Sequence, residues 1–176
     1  MLSRRQFLQV GLASGAVLAG AGWLYRRAGA RPAPGMQWLD ARSLAVVSAL
    51  APVVLDGALP EAPGARARAL SEVVAAFDRA VSGLSPAVQA EIRELFALLG
   101  LAAGRFIVAG VRSAWPEATP EELAAFLRRW RDSRFGLLRA GYQALTQLLQ
   151  AAWYGNPAAW ERIAYPGPPS LGARAA

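Results

Sequence analysis

The chain has 176 residues, of which 55% are hydrophobic and 18% charged, and this is the length and apolar content of one domain with a core. It contains no cysteine and no histidine. Disulfides are therefore excluded, as are serine–histidine and cysteine–histidine catalysis and the usual ligands of zinc, copper, haem and iron–sulfur clusters. The formal net charge is +7. Four of the 19 basic residues precede residue 30, and the remaining 15 against 12 acidic residues leave +3, so the charge does not indicate nucleic-acid binding.

The N-terminus carries an export pattern. Residues 3 to 8 read Ser-Arg-Arg-Gln-Phe-Leu and resemble the twin-arginine signal S-R-R-x-F-L. An uncharged, glycine-containing segment follows, and Ala28-Gly29-Ala30 offers a small-x-small cleavage site at Ala28 and Ala30. The sequence predicts a periplasmic protein exported by the twin-arginine translocase. The signal residues are Ser3, Arg4, Arg5, Phe7 and Leu8.

The fate of this segment stays open. About 20 apolar residues span a bilayer as a helix, and Gln6 to Tyr25 is marginal by that measure. Positive charges flank both of its ends, so they give no orientation. Two outcomes follow: residues 1–30 are cleaved, or they are retained as an anchor in the inner membrane.

The remaining periodicity is helical, with no convincing alternating strand. We predict an all-α fold, a single irregular bundle of about five to six helices preceded by an N-terminal signal or anchor helix. Residues 31–42 are expected to form a linker, 43–169 the helical domain and 170–176 a flexible tail.

Local signals place several helix starts. Ser85-Pro86, Thr119-Pro120-Glu121-Glu122 and Asn156-Pro157 have the N-cap and first-turn residues of helices. Ser133 is predicted to cap a long helix from Arg134 to about Tyr154. The segment 101–111 fits a buried helix or an extended stretch, and helix is favoured.

Chemistry-bearing clusters are few. The pairs Glu91/Glu94 and Glu121/Glu122 are helix neighbours beside arginines, and we interpret them as solvated surface because a catalytic pair must face across a cleft. No catalytic, cofactor-binding or metal-binding residue is predicted in this chain. The arginines at 128, 129, 131 and 134 form either a solvated face or a surface for an acidic partner.

The C-terminal segment is rich in aromatic residues and proline. Between residues 153 and 169 the chain has four aromatic residues, Trp153, Tyr154, Trp160 and Tyr165, together with four prolines. Such residues give a large contact area at small entropic cost. Two interpretations stay open, a cover for one end of the bundle and a docking strip for another subunit.

Residues 70–169 resemble the small subunits of periplasmic flavin-dependent dehydrogenases, the gluconate 2-dehydrogenase subunit 3 type. The most specific match is the closing Tyr-Pro-Gly-Pro at residues 165–168, after Tyr154, Pro157 and Trp160. Where the family often has Ile-Gly before that tyrosine, this chain has Ile163-Ala164. The resemblance also includes Gly104-Arg105-Phe106, the segment from Gly110 to Trp115, Leu127, Trp130, Ser133, Arg139 and Trp153 to Pro157.

The resemblance implies a non-catalytic subunit that escorts an FAD-binding large subunit of the glucose–methanol–choline type through folding and export and stays bound to it. A c-type cytochrome subunit often completes such complexes. FAD is then expected in the partner and no cofactor in this chain. The partner-binding residues are expected to be Trp153, Tyr154, Trp160, Tyr165, Pro166, Gly167 and Pro168.

A second hypothesis from another class is a free-standing, membrane-tethered helical module that holds an apolar ligand between its helices.

Overall fold

The computed structural model describes residues 31–160 and 163–167. This part of the chain is helical and contains no strand, as the periodicity predicts. The signal residues, the cleavage site at Ala28 and Ala30, Pro168 and the tail lie outside the described residues. A π-helical turn (Gly104–Ala109) and a 3-10 turn (Trp115–Glu117) separate the third helix from the fourth. The helices are α1 (Ala41–Val54), α2 (Pro63–Ser82), α3 (Pro86–Gly100), α4 (Pro120–Arg131), α5 (Gly136–Tyr154) and α6 (Pro157–Trp160).

Three of the predicted helix starts are confirmed. The hydroxyl of Ser85 accepts the N–H of Val88 at the start of α3. That of Thr119 accepts the N–H of Glu122 at 3.3 Å in α4. The side chain of Asn156 caps α6. In each case a short polar side chain satisfies an amide that has no partner within its own helix.

Two local predictions were wrong. Ser133 does not cap α5, because this helix begins only at Gly136. The hydroxyl of Ser133 instead accepts the N–H of Phe135 at 3.1 Å and closes a turn that precedes the helix. Glu122 lies three residues after the N-cap Thr119, a spacing that predicts a bond from its carboxylate back to the N-cap amide, and this bond does not form. Its carboxylate accepts the N–H of Arg112 at 2.5 Å and so holds the loop before α4.

The segment 101–111 is helical, as favoured, but its main element is the π-helical turn, and it is not buried throughout, because Phe106 and Ile107 are exposed. Gly110 follows in the left-handed region at φ 63°, which ends the turn and redirects the chain. π-helical turns, which are wider than α-helical turns, are rare and commonly lie at functional sites.

One core runs through the bundle. Helix α2 packs on α5 and α1, and α1 also packs on α3 and α4. Edge-to-face ring pairs join the helices, including Phe77 with Phe96, whose centroids are 6.0 Å apart. The largest side chains that are almost fully buried are Trp130, Trp153, Phe77, Phe96, Phe126, Leu39, Leu50, Leu55, Leu59, Leu99, Leu145 and Leu149.

Helices α4 and α5 cross at Gly141. A Cβ atom added there would stand 2.5 Å from Cζ3 of Trp130, so only glycine lets the edge of the indole lie this close to α5. The same ring packs on Phe126 with centroids 4.8 Å apart, and its Nε1 donates to the carbonyl of Val108 at 3.1 Å. Trp130 therefore joins α4, α5 and the π-helical turn.

A buried carboxylate fixes the segment before α1. Asp78 of α2 is 2% exposed, and its two oxygens accept the backbone N–H groups of residues 37, 38 and 39 at 2.6, 2.9 and 2.7 Å. Three N–H donors satisfy a carboxylate that would otherwise be too costly to bury. The predicted linker at 31–42 is thus part of the folded domain in its second half. We call this set of bonds the Asp78 clasp.

We predict that Asp78→Ala lowers the free energy of unfolding by about 3 kcal/mol or more, because three backbone donors lose their acceptor at once. Denaturant unfolding followed by circular dichroism measures this. Asp56→Ala, which removes an exposed carboxylate, serves as the matched control. An unchanged midpoint for Asp78→Ala would contradict the structural importance of the Asp78 clasp.

Candidate docking surface

The C-terminal aromatic residues form an ordered group. The rings of Trp160 and Tyr165 meet edge to face with centroids 5.6 Å apart. The indole N–H of Trp160 donates to the carbonyl of Tyr154 at 2.7 Å, and the N–H of Tyr165 donates to the carbonyl of Trp160 at 3.0 Å. These bonds fold the segment after α6 back over the end of α5.

The aromatic residues divide between the core and the surface. Trp153 is 1% exposed, because it continues the stripe of Leu145 and Leu149 at helical spacing, so it is not available to a partner. Tyr154 is 44% exposed and Tyr165 is 45% exposed. Trp160 is half-buried, and Pro166 is exposed. We call Tyr154, Trp160, Tyr165 and Pro166 the aromatic surface.

Two residues with positive φ shape this surface. Ala164, between Ile163 and Tyr165, has φ 51°, a conformation that costs an L-residue roughly 1 kcal/mol and suits glycine. Gly167 has φ 93°, and a Cβ there would stand 3.1 Å from Cζ3 of Trp160. The chain accepts backbone strain at 164 to place Tyr165 against Trp160.

A groove of about 560 Å³ lies between α2 and the end of α5, and residues 155–157, between Tyr154 and Trp160 in the chain, contribute to its lining. The methyl groups of Ala76 and Ala151 and the backbone of Gly155 leave its walls open. The amide of Asn156 donates to the carboxylate of Glu72 at 2.7 Å and ties the start of α6 to α2. A partner side chain has room to enter the bundle beside the exposed rings.

A second, larger groove of about 770 Å³ lies between α1 and the start of α4. Its floor carries Ala45, Ala49, Val53 and Trp115, and charged residues including Arg66 also line it. Its volume lies within the ordinary range of small-ligand sites.

The carboxylate pairs remain on the surface. Glu91, Glu94 and Glu121 are exposed, and Glu122 is half-buried. The backbone N–H of Glu121 and the Thr119 hydroxyl lower the pKa of Glu121, and the N–H of Arg112 lowers the pKa of Glu122. Both shifts run opposite to that of a general acid, which holds its proton near neutral pH. In residues 31–160 and 163–167, no group of three acidic side chains is placed to hold a metal ion.

The comparisons with known proteins add no relative: no protein-family model matches the chain, and neither the curated proteins nor the solved structures give a match. In the part of the chain that the structure describes, no helix has the length and apolarity needed to cross a bilayer.

We predict that Gly167→Ala loosens the contact between Trp160 and Tyr165, because the new methyl group meets the indole edge in a conformation that alanine disfavours. The near-ultraviolet circular dichroism of the rings should weaken while the far-ultraviolet spectrum stays. Gly57→Ala is the matched control, since Gly57 has φ 75° and open space around it. Equal near-ultraviolet spectra for the two variants would rule out an ordered ring contact.

Proposed function

We propose that this chain is a non-catalytic small subunit of a periplasmic flavin-dependent sugar or alcohol dehydrogenase. In this proposal it escorts the FAD-binding large subunit through folding and twin-arginine export and remains bound to it. The observation that carries the proposal is the aromatic surface, which is ordered by the chain's own bonds and yet leaves Tyr154 and Tyr165 almost half exposed.

A surface that is ordered before a partner arrives binds at a lower entropic cost. Tyrosine and tryptophan are enriched among residues that dominate binding energy, and a pre-ordered surface loses less conformational entropy when a partner binds. A folded flavoprotein held through transport needs an interface of about 1,600 Å² or more. The groove beside α2 and α5 extends the aromatic surface and enlarges the area open to a partner.

The export motif supplies the other half of the proposal. A large subunit without a signal crosses the membrane folded only if it is bound to a chain that has one. The motif from Ser3 to Leu8, joined to a helical domain with a surface for a partner, fits that task. The flavoprotein and the substrate class rest on the family resemblance of residues 70–169.

We predict that replacing Arg4 and Arg5 with lysine leaves both this chain and the flavoprotein in the cytoplasm, because the translocase reads the arginine pair. Cell fractionation followed by dehydrogenase assays of each fraction measures the outcome. Lysine at Arg26 and Arg27 is the matched control, with the same chemical change after the apolar segment. Periplasmic flavoprotein in the Arg4/Arg5 variant would refute the escort role.

We predict that Tyr154→Ala combined with Tyr165→Ala leaves this chain folded and exported but strands the flavoprotein in the cytoplasm. Losing one anchor at the centre of an interface costs about 2 kcal/mol, or roughly thirtyfold in affinity. The readouts are circular dichroism of the purified variant and dehydrogenase activity in the periplasm.

Two controls sharpen this experiment. Val88→Ala trims an exposed apolar residue near the start of α3 and should change neither readout. Trp153→Ala opens the core, and it should unfold the chain instead of releasing a folded one. If the tyrosine variant stays folded and periplasmic activity is unchanged, the aromatic surface is not the docking site.

The larger groove favours the second hypothesis, a free-standing module for an apolar ligand. Its lining of small apolar side chains between α1 and α4 has room for such a molecule. Enlarging Ala49 to phenylalanine would fill this groove and leave the aromatic surface intact. The module hypothesis predicts that this variant no longer binds its apolar ligand. The escort proposal predicts that it still exports the flavoprotein normally.

A further inference from the structure

Two turns of the bundle expose large apolar side chains. On the π-helical turn, Phe106 is 58% and Ile107 is 76% exposed. At the start of α5, Phe135 is 55% and Leu137 is 76% exposed. These values describe side chains that protrude into solvent, and the two turns lie 29 residues apart in the chain when counted from 106 to 135. We call the four residues the apolar tip.

Trp130 brings the two turns together. Its indole N–H donates to the carbonyl of Val108, the residue after Ile107. The opposite edge of the ring lies against Gly141, one helical turn after Leu137. The π-helical turn and the second turn of α5, which directly follows Leu137, therefore lie against opposite edges of a single buried indole.

Leu137 is exposed because helix α4, which packs on α5, ends before it can cover this residue. Leu137, Gly141 and Leu145 share a stripe at four-residue spacing, and farther along α5 that stripe is buried, with Leu145 only 1% exposed. Helix α4, which covers the stripe at Gly141, ends at Arg131. Leu137 thus lies beside the buried stripe of α5, one helical turn before Gly141, and its exposed side chain extends the apolar surface at this end of the helix.

The apolar tip is surrounded by positive charge. Residues 128–139 contain five arginines and one acidic residue, a net charge of +4. The acidic residue, Asp132, pairs with its neighbour Arg131 at 2.8 Å. The guanidinium of Arg134 lies over the ring of Phe135, 4.8 Å from its centroid, and Arg139 donates to the carbonyl of Ser133 at 2.7 Å. The guanidinium of Arg134 thus lies directly over an exposed ring, and that of Arg139 is held by the turn before α5.

We propose that the apolar tip and its arginines bind an anionic lipid surface. A stable protein interface uses roughly 20–30 residues on each side, whereas the apolar part of this surface consists of four protruding side chains. Membrane contact needs no more than a few apolar groups that enter the headgroup region and cations that meet anionic lipids. A net positive charge around the exposed apolar side chains complements a diffuse anionic plane and does not depend on specific pairing.

This proposal does not depend on the flavoprotein, so the purified full-length chain tests it. The chain has no cysteine, and Leu137→Cys therefore accepts a polarity-sensitive fluorophore at one site. We expect its emission to shift to the blue with vesicles of equal parts phosphatidylglycerol and phosphatidylcholine. Val88→Cys, at the other end of α3 from the π-helical turn, is the control and should show no shift. A local probe separates the tip from any binding by residues 1–30.

Two sets of unlabelled variants test the chemistry. Ile107→Ser with Leu137→Ser should weaken binding to the mixed vesicles about tenfold or more, with the fold kept because both side chains are exposed. Arg134→Gln with Arg139→Gln should weaken it by about fivefold per charge. The charge-matched control is Arg68→Gln with Arg79→Gln on α2, which should have little effect.

Three results would overturn the proposal. The first is an unshifted emission at position 137 with anionic vesicles, even if the protein sediments with them. The second is an equal loss of binding in the α2 control, which would mean that net charge alone acts. The third is unchanged vesicle binding by the serine variant together with reduced recovery of a bound protein partner, which would assign the tip to a protein interface.

Discussion

The packing of Trp130 is the contact on which the rest of this fold depends. Its indole N–H donates to the π-helical turn, its ring packs on Phe126, and the edge of the ring packs on Gly141 of α5. Three segments that are distant in the chain take their relative positions from it. Because aromatic burial and the N–H bond act together, loss of the ring would remove about 3–5 kcal/mol of packing and leave the carbonyl of Val108 without this donor.

The two exposed surfaces have separate supports, and this separation matters for their function. The aromatic surface is ordered by Trp160 and by the turn at Ala164, after the end of α5. The apolar tip is ordered by Trp130, before and at the start of α5. Changes that affect sites without shared partners act nearly independently. The proposed contact with a protein partner and the proposed contact with lipid can therefore be lost separately.

Much of the helical architecture was predictable, because helix starts depend on neighbouring residues: Ser85, Thr119 and Asn156 all cap as their local sequence indicates. The features that the sequence did not predict are contacts between distant parts of the chain, or they depend on small differences in geometry. Asp78 binds amides about 40 residues earlier, which no periodicity reveals. Trp153 and Tyr154 are neighbours with opposite exposure, and the phase of α5 decides between them. The sequence shows alanine at 164, where the family it resembles often has glycine, but the sequence did not predict the positive φ that the structure has there.

The Asp78 clasp also has a mechanical consequence. A pull on the chain from its N-terminal side first meets the short turn in which the N–H of Ala33 donates to the carbonyl of Leu39. Once that bond opens, tension reaches the N–H groups of residues 37, 38 and 39, which all donate to the one carboxylate of Asp78. Force on the leading segment therefore passes into α2 through a side chain, and not only along the backbone into α1.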